Sequence, residues 1–399
     1  MRVAFYNHTG VVSGAEISLL LMAKNMRMAE AILFAPEGEL TERARVAGLQ
    51  VVPIKGYRAR LSKNPLRLMI DVIGMLGAGL RLARMIRFHS IDIIHANSLR
   101  AGIMAALFIW LHRRPLVWHV RDNLPKGLIG KGIDRLARLT VKAIIGISQS
   151  VFIGFDRKKL ANRIHLVHNG VEIHECSDQE RERWKVEIRK ELNLPLQSKV
   201  ILIIGQIAPW KRQEDAIRAT KRLLDSGHDV YLCVVGEPKF GQACNDYWDS
   251  LQEITANMGL EDRVRFTGFR KDVVEICCAA DLLFLCSDNE PFGRVIIEAM
   301  SQSIPVIATR AGGVPEIIDH EQSGLLYEVG DLNGLWGCAE RLLNDDDLRL
   351  RIVGNAEERV NDFFTIQNTV YKVETLYTSI LKGNPKDNTL IKEKRFHEQ

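Results

Sequence analysis

Short apolar runs separated by helical stretches leave this 399-residue chain few folds to adopt. In the first half the runs fall at residues 2–6, 31–35, 50–53, 91–96, 116–119 and 143–147. In the second half they fall at 200–204, 230–236, 263–270, 282–286 and 304–308. Runs of this length bounded by turn residues read as strands, and strands alternating with helices predict parallel sheets joined by crossover connections. A chain this long supports two cores. The expected division is a first α/β domain over 1–172, a linker over 173–197 that also forms a helix, and a second α/β domain over 198–365. A terminal helix over 366–383 and a polar, disordered tail over 384–399 complete it.

Composition narrows the class. The chain opens directly on a strand, Met1-Arg2-Val3-Ala4-Phe5, with no leader pattern. Its longest unbroken apolar run, 103–111, is far too short to cross a bilayer. All seven cysteines lie beyond residue 175 without C-x-x-C or zinc spacing, which predicts reduced, incidental thiols and no metal centre. Charge is split unevenly. Residues 1–175 hold 26 Lys and Arg against 12 Asp and Glu, a net +14, and the remainder carries −9. A basic first half implies an anionic partner: a phospholipid surface, a lipid-diphosphate acceptor or nucleic acid, the last being the least expected. Residues 65–88 read as a helix with Arg67, Arg81, Arg84 and Arg87 among apolar residues. That fits either a membrane-surface helix or a packed crossover with solvated arginines.

The densest motif is residues 290–298, Glu-Pro-Phe-Gly-Arg-Val-Ile-Ile-Glu, directly after the 282–286 run. The spacing predicts strand, tight loop, then helix, with Ser287, Asp288 or Asn289 as cap and Pro291 in the first helical turn. Free amides at a helix start favour an anion, and Gly293 lets a ligand approach the backbone. Glu290 and Glu298 bracket that spot, and a carboxylate can accept from two vicinal hydroxyls. The same pattern also fits an ordinary strand–loop–helix with solvated glutamates. Lys211 and Arg212 precede another expected helix, where cations oppose the helix dipole, and this conflict suggests a bound anion. His119 ends an apolar strand at the edge where α/β sheets bind ligands, with Arg121 just beyond. Gly14 stands at the first strand-to-helix turn without the three-glycine spacing of a dinucleotide site. Ser148 is the expected cap after the 143–147 strand.

Glu290 and Glu298 with Pro-Phe-Gly after the first resemble the signature of retaining GT-B glycosyltransferases, with glycosyltransferase family 4 (glycosyl transferases group 1) the nearest likeness. Residues 308–316, Ala-Thr-Arg-Ala-Gly-Gly-Val-Pro-Glu, are similar to the same family. So are Ser13-Gly14-Ala15-Glu16 at the first loop, with Ser13 where a glycine is usual, and Asn169-Gly170-Val171 near the end of the first domain. The resemblance implies two Rossmann-like domains facing a central cleft, with a terminal helix returning to the first. It implies transfer of a sugar from a nucleoside diphosphate sugar to a hydroxyl acceptor, glycan or lipid-linked, with retention and without a metal cofactor. Lys211 would meet the donor diphosphate, helped by Arg212, because Gln206 replaces the usual arginine. Glu298 would hold the ribose, Glu290 the hexose, and Phe292, Gly293 and Arg294 would offer backbone amides. Phe269 and Arg270 would lie against the base. His119 would contact the sugar, while Gly14, Glu16, Arg121 and Asn169 lie on the acceptor side.

Two rival readings remain at this level. One is a sugar-nucleotide 2-epimerase of the same fold, which needs no acceptor. The other is a non-catalytic sugar-nucleotide or membrane-binding protein, with Gln206 as its mark. The expected location is the cytoplasm, peripheral on the inner face of the membrane.

Overall fold

A computed structural model describes residues 1–57, 65–174, 176–239 and 241–383, with the side chains of 65–68 excepted. The tail expected over 384–399 lies outside the described residues, as do Glu175 of the expected linker and the side chain of Arg67. Two compact units emerge, one formed by Met1–Gly170 with the terminal helix Ile366–Leu381, the other by Val171–Thr365.

The first unit holds β1 (Arg2–Tyr6), β2 (Glu30–Ala35), β3 (Gln50–Pro53), β4 (Ile93–Ala96), β5 (Leu116–Val120), β6 (Ala143–Gly146) and β7 (Ile164–Leu166). They form one parallel sheet in the order β3-β2-β1-β4-β5-β6-β7. Four of the central strands are buried on both faces, which is why their sequences are continuously apolar rather than alternating. The terminal helix completes this core: Ile366, Val370, Val373 and Tyr377 cluster with Val3, Phe5 and Leu19. Its Glu374 carboxylate accepts from the amides of Arg27, Met28 and Ala29 at 2.9, 2.6 and 3.1 Å.

The second unit holds β8 (Lys199–Ile204), β9 (Val230–Val235), β10 (Val264–Gly268), β11 (Leu282–Leu285), β12 (Val306–Thr309) and β13 (Leu325–Tyr327). Their order, β10-β9-β8-β11-β12-β13, is again all parallel. The sequence reading missed β7 and β13. Each is three residues long, too short for a periodic signal.

Residues 173–197, expected as a linker, contain the helix Asp178–Glu191 and lie inside the second unit. One buried arginine anchors them. Arg189, 2% exposed, donates to the carbonyls of Pro195, Leu196, Ser198 and Ala279 and pairs with Asp281 at 2.8 Å. Arg189→Leu takes a donor from four carbonyls and from Asp281, which keeps the Val200 amide at 2.8 Å and Lys199 at 3.4 Å. It should destabilise the second unit by about 3 kcal/mol. Urea unfolding followed by tryptophan fluorescence measures this, and an unchanged midpoint would show the anchor to be dispensable.

Candidate active site

Strand order in the second unit reverses between β8 and β11. Connections leave that point toward opposite faces of the sheet, so the strand ends there stay open to a ligand. The loops after β8 and β11 meet at this place. Lys211 Nζ, in the single 3-10 turn Pro209–Lys211, lies 2.5 Å from Glu290 Oε2. Ser287 Oγ donates to the same carboxylate oxygen at 3.3 Å. Three further bonds fix the loop: Asp288 N–H to Trp210 O at 2.9 Å, Gly313 N–H to Glu290 O at 2.8 Å, and Thr309 Oγ1 to Ser287 O at 2.7 Å. Gly312 makes the approach of Gly313 to Glu290 possible. Its φ is +61°, and a Cβ there would stand 2.1 Å from the Glu290 carbonyl oxygen.

These bonds hold residues 287–293 out of the helix. The helix begins at Arg294 and ends at Met300, with Gly293 at φ +95° as its N-cap. The expectation that Pro291 sits in its first turn, capped by Ser287, Asp288 or Asn289, is therefore corrected. Phe292 is buried and its ring packs against Phe364 at 6.1 Å, leaving only its backbone for a ligand. Glu298 accepts from the Arg294 guanidinium one turn earlier, while Arg294 Nη1 is buried without a partner among the described residues.

The cations before the next helix, Gln213–Asp225, find partners within the protein. Arg212 adopts a left-handed φ of +52° and donates to Asp215 at 2.7 and 3.1 Å and to Asp288 at 3.5 Å. The hydrogen bond to Asp215 raises its pKa further above the usual arginine value. The charge conflict read from the sequence is thus resolved by Asp215, Asp288 and Glu290 and does not by itself require a bound anion. Gln206 turns its amide to Cys244 Sγ at 3.7 Å. Phe269 and Arg270 follow β10, at the sheet edge three strands from β11. Lys239 lies 4.5 Å from the Phe269 ring centroid, and Arg270 pairs with Glu191 at 2.5 Å and with Asp272.

The first unit has its own reversal, between β1 and β4. Here the structure joins several residues expected separately. Arg121 Nε donates to Asn97 Oδ1 at 2.6 Å, and Asn97 Nδ2 donates to Asn7 Oδ1 at 3.1 Å. Asn7 Nδ2 donates to Glu16 Oε1 at 3.1 Å. The chain of donors runs from a guanidinium through two amides to a carboxylate, so both buried charges are compensated. Arg121 Nη1 also reaches Asn169 Oδ1 at 2.8 Å. Glu16 completes a capping box, accepting from Ser13 N–H at 3.0 Å, and Gly14 opens that helix. Ser148 hydroxyl lies 2.7 Å from that of Ser150, ahead of a short 3-10 turn.

His119 Nδ1 lies 3.0 Å from His95 Nε2 and 3.4 Å from Arg121 Nη2. Tyr377 hydroxyl reaches His95 Nδ1 at 2.6 Å. Burial, then Arg121, lowers the His95 pKa to about 3. Burial, Arg121 and His95 push His119 well below the ordinary histidine value. Asn7, Asn97, His95 and Tyr377 were missed in the sequence. The one available signal was that Asn7 and Asn97 each directly follow a strand. Among the described residues no group of three or more His, Cys, Asp or Glu could hold a metal ion.

Comparison with known proteins decides the family. Residues 12–175 match the profile described as Glycosyltransferase Family 4, and residues 185–359 match Glycosyl transferases group 1. The chain belongs to the glycosyl transferases group 1 family. The N-acetyl-alpha-D-glucosaminyl L-malate synthase of Bacillus anthracis is 32% identical over 60% of this chain and 62% of its own length. The D-inositol 3-phosphate glycosyltransferase of Corynebacterium glutamicum is 32% identical over 57% of this chain. In that case the aligned segment covers 54% of the relative. The chain thus spans less than two thirds of either relative. Anabaena HepE, solved with UDP and glucose, superposes with a TM-score of 0.82 at 25% identity, covering 95% of this chain and 100% of that one. The two parallel-sheet units are those of the GT-B fold. Glu290 and Glu298 lie within the group 1 match, and Glu16, His119, Arg121 and Asn169 lie within the family 4 match.

Two predictions follow from the geometry. Gly312→Ala should displace the Glu290 carbonyl and destabilise the second unit by about 1–3 kcal/mol. An unchanged urea midpoint would mean the loop's close approach is unimportant. The second concerns acid. His95 and His119 are neutral when folded, so below about pH 6.5 the unfolded chain takes up protons that the folded one refuses. Stability is therefore unaffected above that pH and falls as pH drops toward 3, the folded value for His95. The loss is about 1.4 kcal/mol per pH unit for each histidine. Urea midpoints at about pH 7 and about pH 5.5 check this, and equal stability at both would contradict it.

Proposed function

We propose that the chain transfers a sugar from a nucleoside diphosphate sugar to a hydroxyl acceptor, with retention at the anomeric carbon. The observation that carries this reading is the Lys211–Glu290 pair across the strand reversal of the second unit. A cation and a carboxylate at one open strand edge match the two ends of such a donor. The lysine suits the diphosphate, and the carboxylate suits the hydroxyls of the sugar. The likeness to Anabaena HepE, whose structure contains UDP and glucose, supports a nucleotide sugar.

In the proposed reaction the bond from the anomeric carbon to the leaving phosphate oxygen breaks while the acceptor oxygen bonds on the same face. The departing phosphate takes the acceptor's proton. Double displacement would require a carboxylate nucleophile on the far face, and neither glutamate of the motif is assigned that part. Lys211 stabilises the charge that grows on the diphosphate as it leaves, and Glu290 orients the sugar. Glu298 holds the ribose, its carboxylate prepositioned by Arg294.

The acceptor is proposed to be lipid-linked or a growing glycan, met at an anionic membrane surface. On the helix Pro65–Phe88, Met69, Ile70, Ile73 and Leu76 are exposed, followed along the helix by exposed Arg81, Arg84 and Arg87. Apolar residues followed by arginines suit insertion beside anionic headgroups. Among the described residues no helix is long and apolar enough to cross a membrane.

Lys211→Ala should lower turnover about 10²-fold with little change in melting temperature, because the side chain is partly exposed. Full activity in this variant would make the lysine a bystander. Product analysis with and without acceptor separates transfer from epimerisation. Sedimentation with anionic vesicles should recover the protein at low salt and lose it as salt rises, and Arg81→Glu with Arg84→Glu should weaken recovery. Equal recovery on neutral vesicles would refute the electrostatic docking.

A further inference from the structure

The four side chains Tyr377, His95, His119 and Arg121 form a line whose distances do not themselves locate the protons. Their donor inventory does. A guanidinium carries only donors. The atom it faces, at the long distance of 3.4 Å, is His119 Nδ1, which therefore favours a lone pair that the closer His95 N–H fixes. His119 is neutral, because burial and Arg121 hold its pKa well below the ordinary value. A neutral imidazole carries one N–H, which must then be on Nε2. The lone pair on Nδ1 receives the N–H of His95 Nε2 at 3.0 Å. That leaves a lone pair on His95 Nδ1, which receives the Tyr377 hydroxyl proton at 2.6 Å.

The other end gives the same direction independently. Burial raises the Tyr377 pKa well above its ordinary value, so the phenol keeps its proton. Donating to His95 Nδ1 is the bond that satisfies it. Arg121 itself is held by Asn97 and Asn169, so it cannot turn away without leaving two amide oxygens unpaired. One atom at the end of this line remains unmatched. His119 Nε2 is buried and has no partner among the described residues. A buried N–H without an acceptor is costly, and one oriented by three neighbours is a place kept for a ligand atom.

We propose that Tyr377 and His95 are positioning residues which, with Arg121, lock His119 as its Nε2–H tautomer, so that this nitrogen donates a hydrogen bond to a ligand oxygen and does not act as a base. That the oxygen belongs to a sugar rests on the function proposed above; the tautomer does not. The terminal helix thereby acquires a task beyond packing, since its Tyr377 sets the direction of the line from the far side of the sheet core.

The test reads the protons directly. Ring-nitrogen NMR of the full chain labelled with ¹⁵N-histidine distinguishes the tautomers, with His119 assigned by the signal lost in His119→Gln. The expected result is a protonated Nε2 and an unprotonated Nδ1 in the wild type. His95→Phe removes the donor to Nδ1, so an Nδ1–H population of His119 should appear and KM for the nucleotide sugar should rise about fivefold. His95→Gln, which keeps an N–H, should restore much of both. Tyr377→Phe should leave His119 largely in place but give His95 a mixed tautomer pattern. A wild-type His119 protonated on Nδ1 overturns the proposal, whatever the variants do. So does a His95→Phe chain that folds and shows the wild-type tautomer and kinetics. A correct tautomer pattern with no sugar transfer to any acceptor would leave this inference standing and count against the proposed function alone.

Discussion

Each parallel sheet of this protein reverses its strand order once, and the Lys211–Glu290 and Asn7–Asn97 contacts sit at those two reversals. On either side of a reversal the connections run to opposite faces, so no helix closes over both strand ends. In the second unit Lys211 and Glu290 enter from the loops after β8 and β11. In the first unit Asn7 and Asn97 enter from the loops after β1 and β4 and connect outward to Glu16 and Arg121. The hydrophobic cores fix the strands, and the strands place these loops.

The site is electrically paired before any ligand is considered. Lys211 faces Glu290, Arg294 faces Glu298, and Arg212 faces Asp215 and Asp288. Such pairing avoids the cost of half-buried, uncompensated charges, and it holds each side chain in one orientation. In the proposed reaction an entering diphosphate would meet a lysine already in place, while the carboxylate beside it would turn to neutral hydroxyls. Charge growing on the leaving phosphate would then be met by a group that need not reorganise. Among the described residues Arg294 Nη1 is buried without a partner, so the compensation is incomplete at that atom.

Much of the fold was legible because buried parallel strands are written as unbroken apolar runs, and 282–286 or 200–204 can hardly be anything else. The short edge strands β7 and β13 left no such trace. Glu290, Glu298 and Lys211 were legible through the family likeness, and Lys211 also through a charge placed against a helix dipole. The structure supplied a different reason for that charge: Arg212 is bound by Asp215 one turn into the helix. The start of the helix at Arg294 was misread because local capping signals at 287–289 lost to cross-loop bonds from Trp210 and Gly313. The His95–Tyr377 contact was beyond reach of any local pattern, since it joins a central strand to the terminal helix.

The second unit's strand reversal is proposed to bind a nucleoside diphosphate sugar, and thermal denaturation of the full chain against a panel of such sugars reads that binding. A ligand bound only by the folded state at about a hundred times its dissociation constant adds about 2.7 kcal/mol of stability. One member of the panel should therefore raise the melting transition by several degrees, and the free sugar alone should not. A melting transition that no nucleoside diphosphate sugar moves would contradict the account.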